Sequence, residues 1–173
     1  LHRDGTRRLL MVNGQIARDR DGNFLRTPCI MTDLTERLQS AEQLRLAAAV
    51  FEQSAEGIVI LDATHNVLMV NQAYVKMTGY SAAELIGKLP PVMDPGCNDA
   101  SFIRAMWETV ETHGSWQGEL WNRRKDGDLY PELASVSRVH DEEGKVSHYI
   151  AIVTDISAHK ANEAHIHRLA HFD

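Results

Sequence analysis

The sequence predicts an α+β fold in which one five-stranded antiparallel sheet carries helices on a single face. The first observation is the order of predicted elements over residues 57–154, which runs strand-strand, three helices, then three strands joined by tight turns. The second is an internal repeat, because Gly22 and Gly144, like Asp33 and Asp155, are separated by 122 residues. The chain therefore contains one complete unit and the end of another, which is typical of a modular protein.

The composition is that of an ordinary globular domain, with 24% charged and 43% hydrophobic residues among 173. A net charge of −6 argues against nucleic acid as the main partner. No apolar run approaches the roughly 20 residues of a transmembrane helix, so we expect no membrane contact in this fragment, although its parent could be anchored. Cys29 and Cys97 lie in unrelated contexts and are expected to be reduced, which predicts a cytoplasmic location.

The first unit is predicted to be a hairpin followed by a helix. Residues 2–13 and 23–34 have strand patterns, and the turn between them ends at Gly22, which can adopt a positive φ. After Asp33, apolar residues recur at helical spacing. We interpret residues 38–50 as a connector helix; an amphipathic helix packed on one domain is the alternative.

The second unit opens with two predicted strands, over residues 57–62 and 67–70. Asn71 is suited to cap a short helix that Gly79 closes. Ser81 begins a capping box for a second short helix. These signals place two short helices directly after the first two strands.

A longer helix and three strands complete the predicted unit. The helix begins at Asn98 or Asp99 and ends at Gly114. Its inward residues are predicted to be Phe102, Ala105, Met106 and Val110. The strands are predicted over residues 116–123, 129–139 and 146–154, and a final helix over residues 158–171.

Four segments of the second unit together resemble a PAS sensory domain. They are Glu56–Asp62, Val70–Tyr80, Trp116–Gly127 and Thr154–Ser157, and their order and spacing carry the resemblance. The resemblance implies a complete PAS domain over residues 51–157. It also implies that residues 1–37 are the last strands of a truncated preceding PAS domain, and that residues 158–173 are an outgoing helix and the start of a further domain.

The end of the chain has a second resemblance. Leu169–Asp173 resembles the opening of a GGDEF domain, and residues 47–57 and 116–127 are similar to PAS domains that precede GGDEF and EAL modules. This implies a bacterial parent that makes or degrades cyclic di-GMP. The fragment lacks the GGDEF signature and the EAL residues, so it is not expected to be an enzyme itself.

The expected function is therefore regulatory. A PAS module would pass a signal through its C-terminal helix to a diguanylate cyclase output, as a homodimer paired through the connector helices. Two alternatives stay open. The module could be a ligand-free dimerisation and spacer element, or it could belong to a sensor histidine kinase.

Trp107 and Asn122 are the candidate ligand-binding residues. They match the Trp and Asn that flavin-binding PAS domains of a nitrogen fixation regulator place against the flavin ring. An aromatic ring offers stacking area and an amide offers a donor and an acceptor. However, Leu89 and Pro90 replace the polar pair of that family. A bound flavin, another small ligand and a filled core remain the alternatives, with flavin not favoured.

Other chemistry is not expected. Pro90 stands where light-sensing flavin domains need a reactive Cys, and Cys97 is not equivalent. Haem would need an axial ligand that the long helix does not offer except at His113. Glu132 is expected at the surface. The histidines of the final helix are expected to be solvated and to bind no metal; they are His159, His165, His167 and His171.

The residues expected to transmit the signal are Thr154, Asp155 and Ser157. The resemblance places them in the motif that couples the last strand of a PAS sheet to the outgoing helix. Asp155 can cap the start of that helix or pair with a nearby basic side chain. A simple helix cap without a signalling role is the alternative.

Overall fold

The computed structural model describes residues 7–94 and 96–170, with the side chains of Leu25 and residues 164–170 left out of the description. The beginning of the first predicted strand and the last three residues of the GGDEF-like motif lie outside the described residues. The chain divides into two compact units between Ala49 and Val50, and each unit is treated separately below.

The first unit is an antiparallel hairpin, in which β1 (Leu10–Gly14) pairs with β4 (Cys29–Asp33), and β2 (Ala17–Arg18) pairs with β3 (Phe24–Arg26). Gly22 closes the turn at a φ of 84°, as its lack of a Cβ allows. The predicted hairpin is therefore present, with each arm divided into two paired segments.

The helix α1 (Thr35–Gln53) begins in the first unit and ends in the second. It starts at the N–H of Thr35, which donates to Oδ1 of Asp33 at 2.9 Å. None of its residues, all of which the structure describes, is buried. The helix is longer than the predicted 38–50 and has no buried face.

The second unit is built on a five-stranded antiparallel sheet. Its strands are β5 (Gly57–Asp62), β6 (Val67–Val70), β7 (Ser115–Arg123), β8 (Leu129–His140) and β9 (Val146–Asp155). They lie side by side in the order β6-β5-β9-β8-β7. Its helices are α2 (Gln72–Thr78), α3 (Ala82–Leu85), α4 (Ala100–His113) and α5 (Ser157–Ala170), with a single 3-10 turn at Pro91–Met93. This confirms the predicted fold class.

The helix ends follow the predicted local chemistry. The side chain of Asn71 accepts a hydrogen bond from the N–H of Tyr74, and Gly79 ends α2 at a φ of 79°. Ser81 and Glu84 form the predicted capping box of α3. Short-range polar side chains thus fix where the helices of the site begin and end.

The inner face of α4 differs from the prediction. Met106 and Val110 are buried as expected, but Phe102 is 41% exposed and Ala105 is exposed. Ile103 and Trp107, which lie one turn apart, pack against the core instead. The helix is rotated so that Phe102 meets only the edge of Trp116, with ring centroids 6.0 Å apart.

The two hairpins share one pairing register. All five residue pairs between β1 and β4, from Leu10 with Asp33 to Gly14 with Cys29, recur 122 residues later between β8 and β9. The first of these later pairs is Glu132 with Asp155. The turns also correspond, since the N–H of Gly22 and that of Gly144 each donate to a carbonyl three residues earlier. The sequence repeat is therefore also a structural repeat.

Candidate functional site

A small cavity lies between the sheet of the second unit and its helices. Its volume is about 40 Å³, which corresponds to a few water molecules. The lining comes from the four strands β5, β7, β8 and β9, from α2 and α4, and from residues 90–93. Most lining side chains are apolar. Among the described residues that line it, only Glu132 carries a carboxyl group.

Glu132 lies inside the domain and not at its surface as predicted. Its residue is 1% exposed. Oε2 accepts hydrogen bonds from Nδ2 of Asn122 at 3.1 Å and from the hydroxyl of Tyr130 at 3.2 Å. The prediction was wrong because it ignored strand alternation, since Tyr130, Ala134 and Val136 on the same strand all point inward.

Burial sets the protonation of this carboxyl. Desolvation raises the pKa of Glu132 to about 7, although the hydrogen bonds from Asn122 and Tyr130 oppose the rise. The charge of Asp155, its partner across β8 and β9, raises this pKa further. Burial also raises the pKa of Tyr74 and of Tyr130, so both phenols stay protonated.

Asn122 is fully buried but does not line the cavity. Its Nδ2 donates to Glu132, and its Oδ1 accepts from the backbone N–H of Arg123 at 2.8 Å. Both ends of the amide therefore have partners within the protein. The structure places Asn122 behind Glu132, as the residue that holds its carboxyl.

Trp107 lines the cavity from α4. Its ring stacks on His65 with centroids 3.8 Å apart, and it meets Tyr149 edge-on at 5.0 Å. Its Nε1 is buried and has no hydrogen-bond partner among the described residues. His65 reaches this position from a turn in which it has a φ of 67°, a conformation that non-glycine residues seldom adopt. Burial lowers the pKa of His65, which favours the neutral ring for stacking.

In this conformation the cavity has neither the volume nor the free hydrogen-bonding groups that a flavin ring would need. Ligand pockets of drug size have volumes of about 300–1,000 Å³, and this cavity is several times smaller. The amide of Asn122 is already paired, and Pro90 in the lining offers no donor. Trp107 thus lines the cavity and Asn122 holds the carboxyl of Glu132, and the cavity is not of flavin size.

Asp155 connects the end of β9 to the start of α5. Its Oδ1 accepts from the N–H of Ser157, the first residue of α5, at 2.8 Å. Its Oδ2 pairs with Nη2 of Arg124 at 2.5 Å. Burial acts to raise the pKa of Asp155, but the hydrogen bonds from Ser157 and Arg124 outweigh it and hold the pKa below its usual value. The side chain therefore caps the helix and pairs with a basic residue at the same time.

Thr154, the preceding residue, donates from Oγ1 to Oε1 of Glu56 at 3.2 Å.

Arg124 joins three parts of the second unit. Besides pairing with Asp155, it donates from Nη1 to the carbonyl of Met77 in α2. Its guanidinium carbon lies 4.0 Å from the ring centre of Tyr130, whose hydroxyl contacts Glu132. Sequence reasoning did not single out Arg124, and no sequence signal distinguishes it from its basic neighbours.

Metal binding has no geometric basis in the described part of the chain. No group of three or more His, Cys, Asp or Glu side chains there could hold an ion. His159 pairs with Glu163 at 3.3 Å. The side chains of His165 and His167, and all of His171, lie outside the description. In the same described part, no helix combines the length and apolarity needed to cross a bilayer.

Comparison with known proteins identifies the family. The family model described as "PAS domain" matches residues 55–158, more than half of the chain. The chain therefore belongs to the PAS domain family, whose members are sensory and not catalytic modules. This agrees with the prediction that the fragment is not an enzyme.

Individual relatives agree with this family. A nitrogen fixation regulatory protein of Klebsiella oxytoca is 33% identical over 106 residues, which are 61% of this chain and 21% of that protein. A blue-light-activated histidine kinase of Rhizobium johnstonii is 23% identical over 141 residues, 78% of this chain and 41% of that protein. The crystal structure of a PAS domain from Colwellia psychrerythraea superposes with a TM-score of 0.60 at 26% identity, covering 67% of this chain and 98% of that one. The chain spans about a fifth of the length of the first of these relatives.

Proposed function

We propose that the second unit senses a change at its cavity and transmits it through Asp155 to α5, and from there to an output domain. The observation that carries the proposal is the position of Asp155. Its carboxylate holds the first N–H of α5 and also the guanidinium of Arg124. Arg124 in turn contacts α2 and the ring of Tyr130. A displacement on the cavity side of the sheet therefore has a continuous path of contacts to the outgoing helix.

An ion pair between α5 and the sheet supports the same route of transmission. Lys160, one turn into α5, pairs through Nζ with Oε2 of Glu119 on β7 at 2.5 Å. Together with Ser157, it fixes the first turn of α5 to the sheet at two points. A helix held in this way follows movements of the strands that hold it.

The first unit is proposed to be the end of a preceding PAS domain. The common register of the two hairpins supports this, as does the position of Asp33, whose Oδ1 accepts from Thr35 as that of Asp155 accepts from Ser157. Asp33 also pairs with an arginine, Arg8, at 2.8 Å. On this proposal α1 leaves the first domain as α5 leaves the second.

The output is proposed to be a diguanylate cyclase, in a parent that could also degrade cyclic di-GMP. Its support is the GGDEF-like segment that starts at Leu169 in the sequence. A sensor histidine kinase is the second candidate, and the similarity to the Rhizobium johnstonii kinase favours it. The parent sequence after Asp173 separates the two, because a kinase continues into a phosphoacceptor helix.

The module is further proposed to act as a homodimer in the reducing cytoplasm. The apolar side chains Leu38, Leu44 and Val50 of α1 are exposed in the single chain, and their burial against a second copy would be favourable. Cys29 and Cys97 are both free. Light scattering that gives a strict monomer at high concentration would contradict the dimer.

The test of transmission uses the full-length parent and the variant Asp155→Asn, which keeps the size of the side chain and removes its charge. Couplings of this kind amount to about 1–3 kcal/mol, so the output activity should change by about fivefold to 150-fold. Glu143→Gln, in an exposed turn, is the matched control and should leave the activity as it is. Equal activity of the native protein and Asp155→Asn would favour the spacer alternative, in which the module only pairs the chains.

A further inference from the structure

The carboxyl of Glu132 has no counter-ion among the described residues. Its two hydrogen-bond donors, Asn122 and Tyr130, are neutral, and no described basic nitrogen lies within 4.0 Å of it. Both bonds are accepted by Oε2, so Oε1 is free of protein donors in the described part of the chain. A buried carboxylate in such surroundings is costly, and the neutral form is favoured.

Glu132 also lies directly opposite the residue that caps α5. In the antiparallel pairing of β8 and β9, Glu132 is the partner of Asp155. Residues that are directly opposite project from the same face of the sheet, and two like charges in that arrangement repel each other. Ionisation of Glu132 therefore acts on Asp155 without any intermediate residue.

Two tyrosines and one arginine are the other titratable or charged groups linked to Glu132. Tyr74 faces it from α2 and Tyr130 from its own strand, and both stay protonated because burial raises their pKa. Arg124 is linked to Glu132 through Tyr130, because its guanidinium lies over the Tyr130 ring, and it also pairs with Asp155. A negative charge on Glu132 would draw Arg124 toward the cavity and away from Asp155.

The first hairpin shows that the strand register and the aspartate cap can form without a carboxyl at this position. In the common register, Leu10 occupies the position of Glu132 opposite Asp33. The hairpin still pairs in the same register, and Asp33 still caps α1. Strand pairing and the aspartate cap therefore do not by themselves require an acid at this position.

We propose that Glu132 is a proton-binding site, and that its ionisation loosens the hold of Asp155 and Arg124 on the first turn of α5. When the proton is bound, the cavity is neutral and Arg124 stays with Asp155. When the proton leaves to solvent, the new charge repels Asp155 and attracts Arg124. The proton is the ligand that suits a cavity of this size, since a cavity of about 40 Å³ has room for little beyond water. The effect on α5 rests on the proposed function, whereas the binding of the proton does not.

The binding is tested by carbon-13 NMR of the Glu132 carboxyl in the native 173-residue chain. The resonance should titrate with a midpoint near pH 7, well above the ordinary range of a glutamate carboxyl. The measurement does not depend on any variant being folded. A midpoint in the ordinary carboxyl range, around pH 4 to 5, would overturn the proposal. A midpoint in the same ordinary range that shifts only when methylammonium chloride is added would also overturn it, because Glu132 would then be a site for a small cation.

The effect on α5 is tested by amide hydrogen exchange at Ser157–Lys160, corrected for the intrinsic rate, from about pH 5.5 to about pH 8.5. Protection should fall by about fivefold or more through the Glu132 titration in the native chain. It should stay constant in Glu132→Gln, and Glu143→Gln should behave like the native chain. Constant protection in a native chain whose Glu132 does titrate would refute the link to α5. That result is distinct from a failure of the proposed function, which Asp155→Asn tests separately.

Discussion

The buried Glu132 predicts a dependence of stability on pH in the native chain that the variant Glu132→Gln should lack. In the folded chain this carboxyl keeps its proton up to about pH 7, whereas its pKa without burial is 4.5. Unfolding in this interval therefore releases a proton. Because the pKa is raised in the folded state, the stabilisation is complete below the unfolded pKa and is lost as the pH rises to the folded one.

The magnitude follows from the size of this shift. Each unit of difference in pKa corresponds to about 1.4 kcal/mol, so the native chain should lose about 3 kcal/mol of unfolding free energy over the interval. Glutamine does not titrate in this range, so the unfolding free energy of Glu132→Gln should not show this decrease. His65, whose pKa is lowered by burial, has the opposite slope near its own titration. It is present in both proteins and cancels in the difference between them.

The assay is urea denaturation at several values between about pH 4.5 and about pH 8, followed by tryptophan fluorescence. All three tryptophans, Trp107, Trp116 and Trp121, belong to the second unit and report on its unfolding. The unfolding free energy of Glu132→Gln minus that of the native chain should rise by about 3 kcal/mol across the range. The unfolding free energy of the Glu143→Gln control should change with pH in the same way as that of the native chain. A difference between Glu132→Gln and native that stays flat within about 0.5 kcal/mol would refute the reasoning.

Three further changes test the packing and the caps of the second unit. Asn71→Ala should destabilise it by about 3 kcal/mol, because it removes the cap of α2 and leaves the partly buried N–H of Ile58 without its acceptor; a urea midpoint close to native would contradict this. Leu85→Ala should cost about 2–5 kcal/mol, since the side chain is buried in the core, and the urea midpoint should fall with little change in slope. Gly79→Ala should cost about 1 kcal/mol at a φ of 79°, seen as a lower melting temperature; an unchanged one would argue against that strain.

Local chemistry explains which parts of this fold the sequence could predict. Asn71 and Gly79 act through hydrogen bonds and backbone angles within a few residues, so their roles follow from the sequence alone. The alternation of Ala134 and Val136 with exposed neighbours could also have placed Glu132 inside, because it lies in phase with them. Its charge suggested the surface, and only the pairing with Asn122 and Tyr130 makes its burial tolerable.

Other features depended on contacts between distant segments. The rotation of α4 that exposes Phe102 and turns Trp107 toward the cavity is decided by packing against the sheet. The pair between Arg124 and Asp155 joins residues 31 positions apart. Neither follows from a local pattern, because several basic residues and several apolar faces satisfy the same pattern.

The common register of the two hairpins has a practical consequence for engineering. Because Leu10 and Glu132 occupy equivalent positions beside equivalent aspartate caps, the chain already contains a natural exchange at this site. Transplanting a leucine into β8 or a glutamate into β1 would produce chimeric hairpins with unchanged pairing. On the proposal that Glu132 binds a proton, such chimeras would alter the pH response of the second unit without any change to the segments that flank it.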